Sequence, residues 1–587
     1  MAETVASLLS GHRSGQISIA DTVSRTFRRL RDANDPAIFI SVREEAAVQE
    51  EVRALSARDP ATLPLYGIPV AVKDNIDVAG LPTTAACPAF AYTPAADAEA
   101  IARLRRAGAL IIGKTNLDQF ATGLVGMRSP YGMPRNSLRA DLVSGGSSSG
   151  SAVAVARGIV PLALGTDTAG SGRVPAGLNN IVGLKPSLGL IPTTGVVPAC
   201  RSLDCVSVFA LTTEDAFAAL SVMAGPDEND PFSRALPLGQ PAMLPRPADR
   251  IHFGDKQAEA SFRAAEEIAR RLGATLVEID LTPLFDTARL LYEGPWVAER
   301  TAAVGEFIAR HPDAVHPVTK AIITQGVDKS AVDTFRALYK LMAFGKIATN
   351  LFAGFDALMV PTFPRPCTIA ELEADPIEPN SGLGTYTNFV NLLDLAGLAV
   401  PVALTEDRTA YGVTLLAPCG RDAFLAGLGG AIHARTGLSL GALDEPLPAW
   451  TAPVGSIDKD EIAIAVIGAH LSGMPLNHEL TTLDARFLGA AETTADYRLF
   501  ALSTEPPKPG LLRVASGSGT SIAVEIWALS AEAFGRFVAG VPSPLSIGTL
   551  KLEDGRSVKG FLVEAEAVRE ARDISTFGGW RAYVASR

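Results

Sequence analysis

The pattern of hydrophobic and polar positions changes twice along the chain. Residues 17–58 place apolar side chains at helical spacing among many Arg, Glu and Ala residues, which predicts amphipathic helices. Short apolar runs separated by Gly and Pro follow at 66–74, 109–115 and 159–166, with a helix-like stretch at 97–108 among them. This alternation of helices and short apolar strands predicts an α/β domain with a mostly buried sheet.

More helix-like positions follow over 285–355. The pattern then stops in GALDEPLPAWTAPVGS, residues 441–456, which is rich in Pro and Gly and has no apolar period. Such a composition is typical of an interdomain connection. We therefore predict a first domain over 1–442, a proline-rich linker over 443–456 and a second domain over 457–587.

The final segment contains four strand-like runs: LLRVAS, SIAVEIWAL, LKLEDGRSVKGFLVEA and WRAYVAS. Short apolar runs separated by polar turns predict a small C-terminal domain of the α+β or barrel-like class. No internal repeat is visible in the sequence.

Composition narrows the class of protein. The 587 residues carry a net charge of −11, and the pI near 5.3 argues against a nucleic-acid or anionic-membrane partner, because both need a basic surface. The five scattered cysteines form no CxxC pair, which fits a reducing compartment. The N-terminus lacks the pattern of a signal peptide, and no apolar run is long enough to span a membrane. We expect a soluble, cytoplasmic protein.

Glycine and serine are crowded into GGSSSGSAVAVARG (145–158) and TDTAGSGR (166–173). A solvated turn or flexible linker is the simplest interpretation, but the apolar segments that flank these residues argue against it. Glycines permit sharp turns that present consecutive N–H groups to an oxyanion, and a serine needs an activated base to act as a nucleophile. No histidine lies between His12 and His252, so an imidazole near in sequence is excluded.

Lys73 ends the apolar run VAVK and is followed by Asp74. The ordinary interpretation is a surface lysine at the end of a strand. If the ammonium is buried instead, its pKa falls and the neutral amine becomes available as a base. A lysine that acts through a second serine is a consistent alternative to histidine.

The two serine segments, with PLALGTDTAGSGRVPAGLNNIVGLKPS and the blocks GIPVAVKDN and IIGKTNLDQFA, resemble the signature of the amidase family. The resemblance implies an amidase-signature fold, a mixed β-sheet covered by helices on both faces. It also implies a serine hydrolase without metal or cofactor, with Ser171 as nucleophile, Ser147 as bridging serine and Lys73 as base. The oxyanion hole would be formed by the backbone N–H groups around Thr168, Ala169 and Gly170.

Other residues of the signature are also assigned by resemblance. Asp167 and Arg173 would form a supporting ion pair. Gly172 and the pair Asn179–Asn180 depart from the residues usual in the family, which suggests a specialised pocket.

The two-domain layout, AGSGRVPAGLNNIVGLKP and IGAHLSGMPLNHEL together resemble the allophanate hydrolases within that family. The resemblance implies hydrolysis of allophanate, a small anionic amide, to ammonia and N-carboxycarbamate. Tyr292 and Arg300 resemble the residues that bind the substrate carboxylate, and the backbone carbonyl of Gly123 would accept from the substrate amide. An ordinary arginine on a helix surface is the alternative for Arg300.

Residues 460–585 resemble the γ-glutamylcyclotransferase-like fold. By the same resemblance, this domain would assist decarboxylation of the first product. His470 and His478 are its two histidines and can face one pocket, although a structural role is the more frequent outcome for any one histidine. His470 is favoured slightly, because it stands where the substrate loop of the related fold lies. Glu525 is interpreted as structural.

Assembly and alternative functions complete the prediction. The resemblance implies a homodimer and an association with a urea carboxylase. The alternative enzymes are an amidase of broader specificity and a tRNA-dependent amidotransferase subunit, which the acidic charge and the extra domain fit poorly. A non-enzymatic scaffold that binds a partner is the remaining alternative, and the presence of the lysine and both serines argues against it.

Overall fold

The structure is a computed structural model that describes residues 3–236, 255–449, 461–483, 485–504 and 507–586. These residues form two compact units. The first unit contains the described residues up to 449, and the second contains those from 461 onward.

Nine described strands of the first unit form one mixed sheet, in the order β1-β3-β2-β4-β6-β5-β8-β9-β7. Their bounds are Phe39–Val42 (β1), Pro69–Lys73 (β2), Leu110–Thr115 (β3), Leu162–Asp167 (β4), Val182–Lys185 (β5), Cys205–Ala210 (β6), Leu358–Pro361 (β7), Leu395–Leu404 (β8) and Ala410–Pro418 (β9). Strand β2 runs parallel to both β3 and β4, and the other neighbouring pairs are antiparallel. Every residue of β2 to β6 is buried, which confirms the predicted buried sheet.

Helices cover both faces of this sheet. Their bounds are Val5–Ser14 (α1), Ile19–Asp32 (α2), Glu45–Leu55 (α3), Glu99–Arg106 (α4), Ser149–Ala156 (α5), Val174–Leu178 (α6), Thr213–Met223 (α7), Lys256–Arg271 (α8), Thr282–Glu293 (α9), Trp296–Arg310 (α10), Pro317–Thr324 (α11), Ala331–Phe352 (α12), Ile369–Ala374 (α13), Glu378–Leu383 (α14) and Asp422–His433 (α15). Val70 and Val72 of β2 pack in one core cluster with α4, α7 and α15, whereas Ala71 packs in another with α2, α3 and α5. Successive strand residues point to opposite faces, so the two clusters lie on opposite sides of the sheet.

The second unit has a five-stranded sheet, β11-β14-β10-β16-β15, and a three-stranded sheet, β13-β12-β17. The bounds are Glu461–Val466 (β10), His478–Thr481 (α16), Arg486–Glu492 (β11), Tyr497–Leu502 (β12), Lys508–Arg513 (β13), Ala523–Ser530 (β14), Ala531–Ala539 (α17), Leu545–Lys551 (β15), Ser557–Val563 (β16), Arg572–Asp573 (β17) and Trp580–Ala585 (α18). This is the predicted small α+β domain.

The strand predicted for WRAYVAS is wrong, because Trp580–Ala585 is a helix. Trp580 and Tyr583 are its buried residues, and they are three positions apart, which places both on one helix face.

The predicted linker lies partly within the described residues. Leu443 and Leu447 pack against the core cluster on the α2, α3 and α5 side of the first unit. Residues 450–456 of the linker lie outside the described residues, and the domain boundaries stay a prediction. Within the described residues, no helix is long and apolar enough to cross a membrane.

Candidate active site

The candidate site lies at the carboxyl ends of β2 and β4. These neighbouring strands are parallel, with Val72 paired to Leu164, so Lys73 at the end of one strand lies beside the last residues of the other. The segment before α5, which contains Ser147, reaches the same edge. Parallel strands bring the residues that follow them to one edge of a sheet, which is where α/β proteins commonly place their sites.

Lys73 and Ser147 are in direct contact. The Lys73 amine donates to Ser147 Oγ at 2.8 Å and to Thr166 Oγ1 at 2.7 Å. Lys73 and Ser147 are both 0% exposed, so the interpretations of a surface lysine and of a solvated serine turn are wrong. Thr166 was missed by the sequence analysis, although its position at the end of the buried run IVPLALGT was the available signal.

Burial also sets the ionisation of Lys73. Burial lowers the pKa of the Lys73 amine to about 7, although the carboxylates of Asp118, Asp167 and Asp204 act in the opposite direction. The amine therefore loses its proton near neutral pH, which an exposed lysine does not.

The loop that carries Ser171 is wrapped around one carboxylate. Asp167 forms a bidentate ion pair with Arg173, with both distances 2.9 Å, and accepts from the N–H groups of Gly170 at 2.9 Å and Gly172 at 3.0 Å. Burial opposes ionisation of Asp167, but the charge and hydrogen bonds of Arg173 outweigh it and lower the pKa. The predicted ion pair is confirmed, and it fixes the backbone on both sides of Ser171, which is 4% exposed.

Residues distant in sequence hold the same loop. Thr387 Oγ1 donates to the carbonyl of Ala169 at 2.7 Å, and Asn391 Nδ2 donates to the carbonyl of Asp167 at 2.8 Å. Thr168 donates its hydroxyl to Asp204. Because Gly170 gives its N–H to Asp167, the N–H groups of Thr168 and Ala169 are the better candidates for the oxyanion hole.

The departures from the family signature have local structural reasons. A Cβ at Gly172 would lie 2.6 Å from Cβ of Ser207, so this position has no room for a side chain. Asn179 donates to the carbonyls of Ser144 at 2.7 Å and Pro175 at 2.8 Å, and Asn180 bonds two other carbonyls. Asn179 thus joins the segment before Ser147 to α6, the helix that follows Ser171.

Arg300 contacts the segment that contains Gly123. Arg300 is 3% exposed, so the interpretation as a surface arginine is wrong. Its guanidinium donates to Thr122 Oγ1 at 3.0 Å and lies 5.8 Å from the centroid of the Tyr292 ring. Arg128, which the sequence analysis missed, donates to the carbonyl of Thr122 at 3.0 Å. The structure thus brings Gly123, Tyr292 and Arg300 together.

The second unit contains a cavity of about 120 Å³ lined by His470. The imidazole stacks on Phe561 at 5.3 Å and meets Phe537 edge-on at 5.1 Å. His470 Nε2 lies 2.8 Å from Glu479 Oε2, and Lys508 lines the same cavity. Burial lowers the pKa of His470, and Glu479 partly opposes this.

His478 and Glu525 have different surroundings. His478 is exposed at the start of α16 and bonds the carbonyl of Pro475 at 2.9 Å, so the structure does not bring it into the cavity with His470. Glu525 accepts from the N–H of Ser472 at 2.7 Å and from Arg581 at 2.7 Å, an arrangement that agrees with the structural role predicted for it.

No group of three or more His, Cys, Asp or Glu side chains suited to hold a metal ion occurs among the residues that the structure describes.

Comparison with known proteins gives two family matches. Residues 21–425 match the family described as Amidase, and residues 462–585 match the Allophanate hydrolase C-terminal domain. The urea amidolyase of Lachancea kluyveri is 44% identical over 96% of this chain, and the chain covers 32% of that relative. The chain thus spans about a third of the length of this relative and of the urea amidolyase of Saccharomyces cerevisiae.

Solved structures agree with these matches. An allophanate hydrolase of Kluyveromyces lactis is 40% identical, with a TM-score of 0.86 and coverage of 100% of this chain and 99% of that one. The urea amidolyase of K. lactis is also 40% identical with a TM-score of 0.86, over 100% of this chain and 37% of that one. The chain belongs to the amidase family of amidohydrolases and carries a C-terminal domain of the allophanate hydrolase type.

Proposed function

We propose that the first unit hydrolyses the amide of allophanate through Ser171, Ser147 and Lys73. The observation that carries this proposal is the contact of a buried lysine amine, whose pKa is about 7, with the hydroxyls of Ser147 and of Thr166, the residue at which the segment TDTAGSGR begins. The likeness to a K. lactis allophanate hydrolase over the whole chain supports the choice of substrate.

In the proposed first step, neutral Lys73 accepts a proton from Ser147, which accepts one from Ser171. The Ser171 oxygen attacks the amide carbon, and the N–H groups of Thr168 and Ala169 donate to the oxygen that becomes negative. The protons return to the leaving nitrogen, and ammonia departs. A water molecule then gives a proton to Lys73 through Ser147 and attacks the acyl carbon. The ester bond to Ser171 breaks, the serine oxygen takes the proton back, and N-carboxycarbamate is released.

The substrate carboxylate would lie between Arg300 and Tyr292. A buried guanidinium binds a carboxylate with charge-assisted hydrogen bonds, and the hydroxyl of Tyr292 can donate to the same group. The carbonyl of Gly123 would accept from the substrate amide. These contacts would select a small anionic amide over a neutral one.

The second unit would assist decarboxylation of N-carboxycarbamate. Loss of carbon dioxide breaks a bond between nitrogen and carbon and leaves the electron pair on nitrogen, which a proton donor must neutralise. A cationic group can hold the carboxylate that remains. His470 would supply the donor and Lys508 the cation in the cavity they share. Burial lowers the pKa of His470 and so limits its protonated fraction, while Glu479 favours the protonated form. The γ-glutamylcyclotransferase-like fold of this unit stays a prediction.

The experiment that tests the substrate is a panel of amides. We expect fast ammonia release from allophanate, weaker release from malonamate, and little from urea or longer amides. Comparable rates on all of them would favour a broad amidase, and hydrolysis of glutamine only in a complex with partner subunits would favour an amidotransferase subunit. Labelling of Ser171 by a fluorophosphonate would exclude an inactive scaffold.

The homodimer, the urea carboxylase association and the cytoplasmic location stay proposals. The association is supported by the relatives named urea amidolyase, of which this chain covers only part. Sedimentation of the purified chain tests the homodimer, and co-purification with a urea carboxylase tests the association.

A further inference from the structure

Asp118 is bonded both to the segment of Ser147 and to the segment that follows Gly123. It is 0% exposed and follows β3, in the block IIGKTNLDQFA. Its backbone N–H donates to the carbonyl of Ser147 at 3.0 Å. Asp118 is thus bonded to the main chain of the serine that contacts Lys73.

The carboxylate of Asp118 contacts residues 122–128, which we call the specificity loop. Oδ2 accepts from the N–H groups of Val125 at 3.2 Å and Gly126 at 3.0 Å, and Oδ1 accepts from the N–H of Arg128 at 2.9 Å. Three backbone donors on one carboxylate fix the path of the loop just after Gly123.

The packing around the carboxylate leaves it little freedom. A Cβ at Gly146 would lie 2.1 Å from Asp118 Oδ2, so the carboxylate lies directly against the residue before Ser147. This close approach requires glycine at position 146. One side chain therefore contacts both the serine segment and the specificity loop.

The charges that face these groups are of both signs. Lys73 faces the carboxylates of Asp118, Asp167 and Asp204, all of which favour its charged form. The negative charge of Asp118 favours the protonated forms of Lys73, Arg128 and His316. Among the three carboxylates, Asp118 has the largest influence on Lys73.

We propose that Asp118 is a positioning residue that locks the specificity loop to the peptide of Ser147. The amide held at Gly123 and the carboxylate held at Arg300 then keep a fixed separation from the Lys73–Ser147 pair. This inference rests on the proposed function, and it assigns to Asp118 no direct contact with substrate. Its negative charge has a second effect, because it favours the protonated form of Lys73.

The variant Asp118→Asn keeps the size of the side chain and removes the charge. We expect kcat/KM for allophanate to fall by about ten- to a hundredfold, because a small misplacement of substrate costs that much. The rising limb of the pH–rate profile should also move to lower pH, since Lys73 loses a neighbouring negative charge. A residue with a purely structural role would not move that limb.

Asn380 supplies the matched control. Its Oδ1 accepts from the N–H of Leu124 at 2.9 Å, so it anchors the same loop without a charge. Asn380→Ala should lower kcat/KM for allophanate and leave the pH limb in place. An equal shift of the limb in both variants would overturn the charge effect assigned to Asp118.

Two further measurements keep the proposal falsifiable. NMR titration of the Lys73 side chain, labelled at Cε, detects the pKa change without turnover, so it separates failure of this inference from failure of the proposed function. If Asp118→Asn does not fold, Gly146→Ala displaces the carboxylate from the other side and should reduce activity at least tenfold. Wild-type kcat/KM in folded Asp118→Asn or folded Gly146→Ala would overturn the proposal.

Discussion

The site around Lys73 and the cavity around His470 differ in how their ionisable side chains meet water. Lys73 and Ser147 are fully buried, and buried carboxylates surround them. The His470 side chain is 15% exposed, and its partner Glu479 is 48% exposed. Salt screens an exposed carboxylate and leaves a buried one nearly unaffected. The ionisation of Lys73 is therefore set by the folded protein, whereas the ionisation of His470 also depends on the salt concentration.

The largest effect is expected at Ser171. Ser171→Ala should reduce ammonia release from allophanate to background, because the acyl-enzyme forms on the hydroxyl that this variant lacks. Ser221→Ala, an exposed serine on α7, is the control and should behave as wild type. Activity above background in the purified Ser171→Ala protein would contradict the assignment.

Replacement of the base should be nearly as severe. Lys73→Arg keeps a positive charge that does not leave at neutral pH, so the proton path from Ser147 is closed. We expect kcat to fall by a hundredfold or more, roughly what general base catalysis contributes. A folded Lys73→Arg protein with substantial activity would mean that another group is the base.

The pH dependence of ammonia release tests the buried Lys73 site in the unaltered protein. Because Lys73 works as the neutral amine and its pKa is about 7, kcat for ammonia release should rise through pH 7 to a plateau. Below pH 7, kcat should fall about tenfold for each further pH unit. Added salt should leave the midpoint in place. A midpoint near that of an ordinary lysine would show that Lys73 is solvated in solution.

Arg300 should affect specificity more than chemistry. Arg300→Ala should lower kcat/KM for allophanate by about ten- to a hundredfold, the worth of a charge-assisted contact of roughly 1.5–3 kcal/mol. A neutral amide of similar size should lose much less. Arg310→Ala, at the exposed end of the same helix, is the control. Equal losses on both substrates would indicate a structural arginine.

The smallest effect on ammonia release is expected from His470. His470→Asn should leave that step unchanged and slow decarboxylation at least about tenfold, because the proton donor is lost. His478→Asn is the matched control, since His478 is exposed. Carbon-13 NMR of labelled allophanate follows both carboxyl groups. Wild-type rates of carbamate formation in His470→Asn would exclude His470 as the donor.

The sequence predicted the buried sheet and much of its helical cover, because short apolar runs such as PVAVK and LALGTD, bounded by Gly and Pro, are typical of buried strands. It missed β1, since AIFISV is short and lies between amphipathic helices. It also misread WRAYVAS, where a run too short for a clear period is decided by tertiary packing.

The site was predicted unevenly for a similar reason. Lys73, Ser147 and Arg300 stand in recognisable motifs, whereas Thr166, Asp118 and the bond from Asn391 depend on contacts between distant segments. Sequence spacing indicates which residue types are present, but it cannot tell which loop a carboxylate will bind. The same holds for His470 and His478, which are eight positions apart. The sequence does not show that His470 lines a cavity and that His478 is exposed.

The bonds from Thr387 and Asn391 to the Ser171 loop have a consequence for biosynthesis. These partners are 218 and 224 residues away along the chain. At ordinary rates of translation, the ribosome needs roughly 10 to 45 s to make that length of chain. The growing polypeptide therefore carries its serines long before it can complete the loop around them. Hydrolytic activity should appear only late in synthesis, and the unfinished sheet is the stage at which the nascent chain most needs protection from aggregation.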